Sequence, residues 1–219
     1  MGAGRGTMGL SLTAFLSVWL VMMAAMMFPS VAPMAIVWVR SVAARPTTRE
    51  RVAGIASFLA GYLLAWAAFG VVVYAVLTAA GQLAEGVPDA ARWVGAAIFA
   101  VAGVYQLTPL KGACLSHCRT PVGALFHYAS YKGSGRDLRV GIHHGLYCMG
   151  CCWGLMIVLV AVGAMNVPAM VSLAGVIFIE KVWRYGPAFS RSVGVLLLLV
   201  AALAPFIPSL LPGLRAAPM

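Results

Sequence analysis

Charge is what this sequence has least of. Only 9% of its 219 residues are charged and only five are acidic, while 63% are hydrophobic, against about 25% charged and 45–50% apolar in a soluble domain. That composition excludes an ordinary soluble globular protein. The chain also lacks a glycine-rich phosphate loop following a strand and a Cys-x-x-Cys-His haem-attachment run, so no nucleotide, flavin or haem is expected. No internal repeat, low-complexity tract or soluble linker divides it, and residues 1–219 read as a single membrane domain.

What remains is a series of long uncharged runs. The few charges cut the chain at residues 6–39, 52–84, 93–110, 140–179 and 192–214, and a helix needs about 20 apolar residues to cross the hydrocarbon core. The run from Val140 to Ile179 is long enough for two spans and has a turn-like stretch, Gly163 to Pro168, at its middle. The expected fold is an all-α polytopic membrane bundle of six helices, over roughly 10–39, 52–80, 92–110, 141–163, 167–185 and 191–211. The first apolar stretch exceeds the roughly 7–15 residues of a signal-peptide core and is read as an uncleaved span. Pro29 and Pro33 are expected to kink it. Residues 120–131, with Phe126, Tyr128 and Tyr131 beside His127, are too short to span and read as a short interfacial helix before the fourth span.

The net charge of +10 reads as topology and not as a nucleic-acid surface. Connections one, three and five carry twelve basic residues (Arg40, Arg45, Arg49, Arg51; Lys111, Arg119, Lys132, Arg136, Arg139; Lys181, Arg184, Arg191), whereas Arg5, Arg92 and Arg215 make three on the other side. The positive-inside rule then places those connections in the cytoplasm and both termini outside, in a bacterial inner (cytoplasmic) membrane.

All five cysteines and all four histidines fall between Cys114 and Cys152. Thiolate and imidazole are ligands for Cu(I) and Zn(II) and poor ones for hard ions. A rotation of about 100° per residue puts His144, Cys148 and Cys151 on one helical stripe with Cys152 at its edge, and at 1.5 Å per residue Cys148 and Cys152 lie about 12 and 18 Å into the span. Cys114 and Cys118 are four apart with His117 beside them; this group either completes a shared site over the mouth of the bundle or forms a separate one. His143 points about 100° away from His144 and is a secondary candidate, while His127 reads as interfacial. Met22, Met23, Met26 and Met27 form two i, i+4 pairs of soft thioethers midway along the first helix, which are core packing or a copper-favouring layer. Glu180 lies about 18 Å along the fifth helix from Pro168, either functional or paired with Lys181 or Arg184. Asn166 reads as a helix cap.

The runs Trp19 to Pro29, Leu110 to Cys114, Arg119 to Pro121, His144 to Trp153, Gly163 to Asn166 and Glu180–Lys181 together resemble a bacterial family of predicted metal-binding integral membrane proteins of unknown function, most specifically at Tyr147 to Trp153. A departure is Ala169, where the resemblance leads one to expect tryptophan. The resemblance implies metal binding without naming the metal.

Three functions follow from the residues. The first is handling or transport of a transition metal, copper in preference to zinc, with the bilayer, the ion and a metallochaperone or membrane protein as partners. The second is a membrane metalloenzyme in which Glu180 or Tyr147 moves protons. The third is a thiol-disulfide relay through Cys114, Cys118 and the helix cysteines, which the odd count of five thiols and the placement of the first cysteine pair on the reducing side disfavour.

Overall fold

The structure is a computed structural model that describes residues 9–84, 90–133, 135–162 and 166–207. Among the described residues eight helices follow one another: α1 Leu12–Ala43, α2 Thr48–Ala84, α3 Ala90–Leu107, α4 Pro109–Arg119, α5 Pro121–Ala129, α6 Arg136–Val162, α7 Val167–Val182 and α8 Gly186–Leu203. No strand occurs among the described residues, and the fold is all-α as the apolar runs require. The turn at Gly163–Met165, Arg5 and Arg215 lie outside the described residues.

Among the described residues four helices are long and apolar enough to cross a membrane: Leu12–Ala43, Thr48–Ala79, Arg136–Leu159 and Gly186–Leu203. A fifth crossing arises if Trp93–Leu107 and Pro109–Arg119, which meet at a bend of 64°, count as one broken span. At 16 residues α7 is about 24 Å long, short of the ~30 Å core. The third connection, read from the sequence as loop, holds the separate helix α4. Thr108 starts it, its hydroxyl accepting from the Lys111 amide at 3.3 Å, with Pro109 at the first position where a missing N–H is harmless. The expected short helix of the 120–131 segment is α5. α1 runs unbroken through Pro29 and Pro33. Asn166 caps α7 as expected, its side-chain oxygen accepting from the Ala169 amide at 3.1 Å.

Connections one, three and five meet at one end of the bundle. Arg45, after α1, donates two hydrogen bonds to Asp137 in the first turn of α6, at 2.9 and 2.7 Å, and these bonds hold its guanidinium pKa above the usual arginine value. Arg119, at the end of α4, donates to the Glu180 and Trp183 carbonyls at 2.6 and 2.7 Å and to that of Arg184 at 3.2 Å. A cation there satisfies carbonyls that the end of α7 leaves without partners.

Helix α6 is central because glycines let other helices approach it closely from two sides. A Cβ built on Gly141 would stand 3.0 Å from the Tyr62 amide nitrogen and closer still to Phe58 backbone, and one on Gly145 would stand 2.8 Å from the Ala65 Cβ. Gly61 on α2 is equally crowded by α6 backbone. On the other side, a Cβ on Gly150 would meet the Cys114 Sγ at 2.8 Å and one on Gly154 would meet the Tyr105 ring at 3.0 Å. Gly141 and Gly150 are nine residues apart, about half a turn around the helix, so α2 and the α3–α4 pair clasp opposite faces. Small residues let helix backbones come this close.

Gly141→Val should therefore push α2 from α6 and lower the midpoint of thermal unfolding in detergent well beyond what helix propensity alone would do. Gly175→Ala on α7, where an added Cβ meets nothing within 4 Å, should leave the midpoint unchanged or raise it, the gain in stability being at most about 1 kcal/mol. Equal midpoints for the two variants would dispose of the close-approach argument.

Candidate metal centre

The chemistry lies where α6 is enclosed by α1, α2, α4 and α7. Cys148 and Cys152 are fully buried and Cys151 is 1% exposed, while Cys114 and Cys118 on α4 are half-buried. All five thiols are free. The stripe read from helical spacing is thus turned inward.

The two cysteine groups meet. Cys151 Sγ lies 3.9 Å from Cys118 Sγ, so the two groups are in contact. With metal–sulfur bonds of about 2.3 Å, the value for zinc, one ion would span that gap at an angle of about 116°. Cys152 Sγ lies 4.0 Å from the Met27 thioether on α1, so the methionine group touches the thiols through that one residue. Met23 and Met26 are buried in the core and Met22 is half-buried against it. Cys114 packs over Gly150. The Cys151 and Cys152 thiols donate to the Cys148 carbonyl at 3.0 and 2.9 Å. Among the described residues no three His, Cys, Asp or Glu side chains form a ready-made metal-binding group, so the sulfurs stand as close pairs.

The histidines divide from the sulfurs. His144 is 2% exposed, set beside the rings of Phe58 and Tyr62 at 6.2 and 6.4 Å between centroids, and its Nδ1 is buried without a hydrogen bond. It shares the stripe with Cys148 but is not drawn into the sulfur contacts. His117 stacks on Tyr147 at 3.9 Å, and its Nε2 lies 3.0 Å from the Tyr128 hydroxyl. His143, the secondary candidate, reaches that same hydroxyl from its Nδ1 at 3.3 Å.

Glu180 is 1% exposed and paired, but with neither partner expected from the sequence. Lys111 on α4 donates to it at 2.7 Å and Gln106 on α3 at 2.8 Å. Lys181 faces elsewhere because adjacent helical residues diverge by about 100°. Its ammonium donates to Cys148 Sγ at 3.1 Å and to Ser30 Oγ at 3.2 Å, and the Tyr62 hydroxyl lies 3.1 Å from the same sulfur. Sequence reasoning missed Lys181 and Tyr62 as neighbours of the thiols. A clue was present in Glu180–Lys181 themselves: two ionisable neighbours in an apolar helix cannot both point at one another, so each needs a separate partner. A second missed signal is that Cys148-Met149-Gly150-Cys151 is itself a Cys-x-x-Cys run, a spacing at home in metal and redox sites.

The electrostatics follow from burial. Lys111 and Glu180 neutralise each other in a dry interior, where an unpartnered charge is costly. The Lys181 ammonium, without a carboxylate partner among the described residues, is placed to stabilise negative charge on sulfur. Glu180→Gln should destabilise the fold by about 3–5 kcal/mol by leaving Lys111 uncompensated, whereas Lys111→Met combined with Glu180→Leu should cost far less. Thermal unfolding in detergent measures both, and a double variant as damaged as the single one would remove the ion-pair account.

No curated protein and no solved structure matches the chain. A family model does, over residues 16–204, a stretch running from within α1 to the end of α8 and containing every cysteine and histidine. Its description is PpoB2, copper chaperone. A copper family accords with a site that gathers thiols and a thioether, and this chain belongs to the PpoB2 copper chaperone family.

Proposed function

We propose that this protein is a multi-pass membrane copper carrier of the bacterial inner membrane that holds Cu(I) on buried sulfur and passes it to or from a partner protein. The observation that carries this reading is the Cys118–Cys151 pair, 3.9 Å apart, brought together from two helices within a family of copper chaperones. Two thiolates suit a soft monovalent ion, and the nearby Lys181 ammonium offsets the negative charge that a Cu(I) bis-thiolate would bury. Cys152 and Met27, 4.0 Å apart, extend the soft surface toward α1. Copper is favoured over zinc because the sulfurs lie in pairs and a thioether adjoins them, whereas structural zinc takes four closed ligands.

The proposed topology is six spans with both termini outside. Its support is the distribution of basic residues, ten on the side of connections one, three and five against three on the other once the buried Lys111 and Lys181 are set aside, and the gathering of those connections by Arg45 and Arg119 at one end. The short α7 then crosses with α4 and α5 folded in the cytoplasmic half.

A specific observation favours a second reading. Two thiols 3.9 Å apart could also exchange electrons as a disulfide, and metal analysis separates the two. Protein purified without oxygen and supplied with Cu(I) should hold about one copper per chain. Cys151→Ser and Cys118→Ser should each reduce that to less than a tenth, and Met27→Leu should weaken binding by about tenfold, one decade per 1.4 kcal/mol. Unchanged copper in both cysteine variants would end the carrier reading. Wild-type protein that takes no copper yet cycles between dithiol and disulfide would establish the relay. Reporter fusions at residue 45, residue 135 and the C terminus test the topology, which a cytoplasmic C-terminal reporter would overturn.

A further inference from the structure

We propose that His127, His143 and His117 form a loading port, an imidazole site that passes a transition-metal ion between solvent and the buried sulfur pair. The proposal rests on the copper-handling reading and adds the route.

The first ground is graded exposure. His127 on α5 is exposed, His143 on α6 and His117 on α4 are half-buried, and Cys151 is 1% exposed. His143 precedes Cys151 by eight residues, about 12 Å along α6, and His117 is the chain neighbour of Cys118. Imidazole, a borderline ligand, thus stands on the solvent side of Cys151 along α6 and directly beside Cys118 on α4, the two helices that supply the sulfur pair.

The second ground is distance. An ion bound through a ring nitrogen at about 2.0–2.1 Å sits about 3.2 Å from the ring centroid, so two imidazoles can share it only if their centroids lie within about 6.4 Å. The separations are 5.3 Å for His127–His143, 6.0 Å for His117–His143 and 6.3 Å for His117–His127. All three pairs meet the condition. Because no three side chains form a closed group among the described residues, the port holds an ion by two rings at a time, which suits transfer better than storage.

The third ground is orientation. Tyr128, fully buried, places its hydroxyl 3.0 Å from His117 Nε2 and 3.3 Å from His143 Nδ1. A phenol oxygen can accept both N–H bonds, leaving His117 Nδ1 and His143 Nε2 as free lone pairs. Ligating histidines are commonly set in this way by a partner on the far nitrogen. The His127 ring has no hydrogen bond among the described residues, and an exposed ring contributes little to the packing of the cluster.

The test separates rate from affinity. Metal-free full-length protein in detergent receives Cu(I) from its bicinchoninate complex, and the loss of the chelator's colour gives the transfer rate. His127→Ala/His143→Ala should slow transfer at least tenfold while the equilibrium copper content and affinity stay within threefold of wild type. An unchanged rate overturns the port, and so does a loss of affinity that matches the loss of rate, since the histidines would then belong to the buried site or to the fold. A second arm uses Cu(II) on a variant with all five cysteines changed to serine. Nitrogen couplings in its electron paramagnetic resonance spectrum, lost when the two histidine changes are added, support the port; their absence overturns it. Wild-type protein that takes up no Cu(I) defeats the carrier reading, and the Cu(II) arm then decides the port on its own.

Discussion

The close approach of two helix pairs to α6 is the constraint on which the rest depends. Gly141 and Gly145 admit α2, and Gly150 and Gly154 admit α4 and α3 on the opposite face. Cys118 meets Cys151 only because α4 lies against Gly150 with nothing larger between them. A side chain on that face would lift α4 away, and two thiols would become two separate packing residues. The chemistry of the site is therefore set by the absence of side chains next to it.

Charge supplies a second level of organisation. A dry interior tolerates ions only in company, and this one contains Lys111, Glu180 and Lys181. Lys111 and Glu180 join α4 to α7 and cancel, while Arg119 ties the two helices again through backbone carbonyls. That fastening holds α4 in place and leaves Lys181 facing sulfur. Lys181, one of the two partners expected for Glu180 from the sequence, is thus the cation next to Cys148. Fold stability and site electrostatics are aspects of one arrangement.

Three of the imidazoles lie outside the buried thiols: His127, His143 and His117 are more exposed than Cys148, Cys151 and Cys152, and the Met27 thioether meets Cys152 on the α1 side. Such an order matches the demands on a carrier, which must take an ion from a competing ligand, hold it away from water and release it. Tight closed coordination would serve storage better. The absence of a three-ligand group among the described residues is consistent with that division of labour.

Much of this was legible in the sequence, for a physical reason in each case. Scarce charge and long apolar runs fixed an all-α bundle because an unpaired backbone is not tolerated in lipid. Helical periodicity put Cys148, Cys151 and Cys152 on an inward stripe because rotation per residue is a local property, and Asn166 was recognisable as a cap for the same reason. The separate helix α4, its 64° bend from α3, the partner of Glu180 and the roles of Lys181 and Tyr62 were not legible. Each is a relation between residues distant in the chain, as with the 69 positions separating Lys111 from Glu180. Spacing along one helix says which way a side chain faces; what it faces is decided only when another helix packs there, and the glycines of α6 determine how near that helix can come.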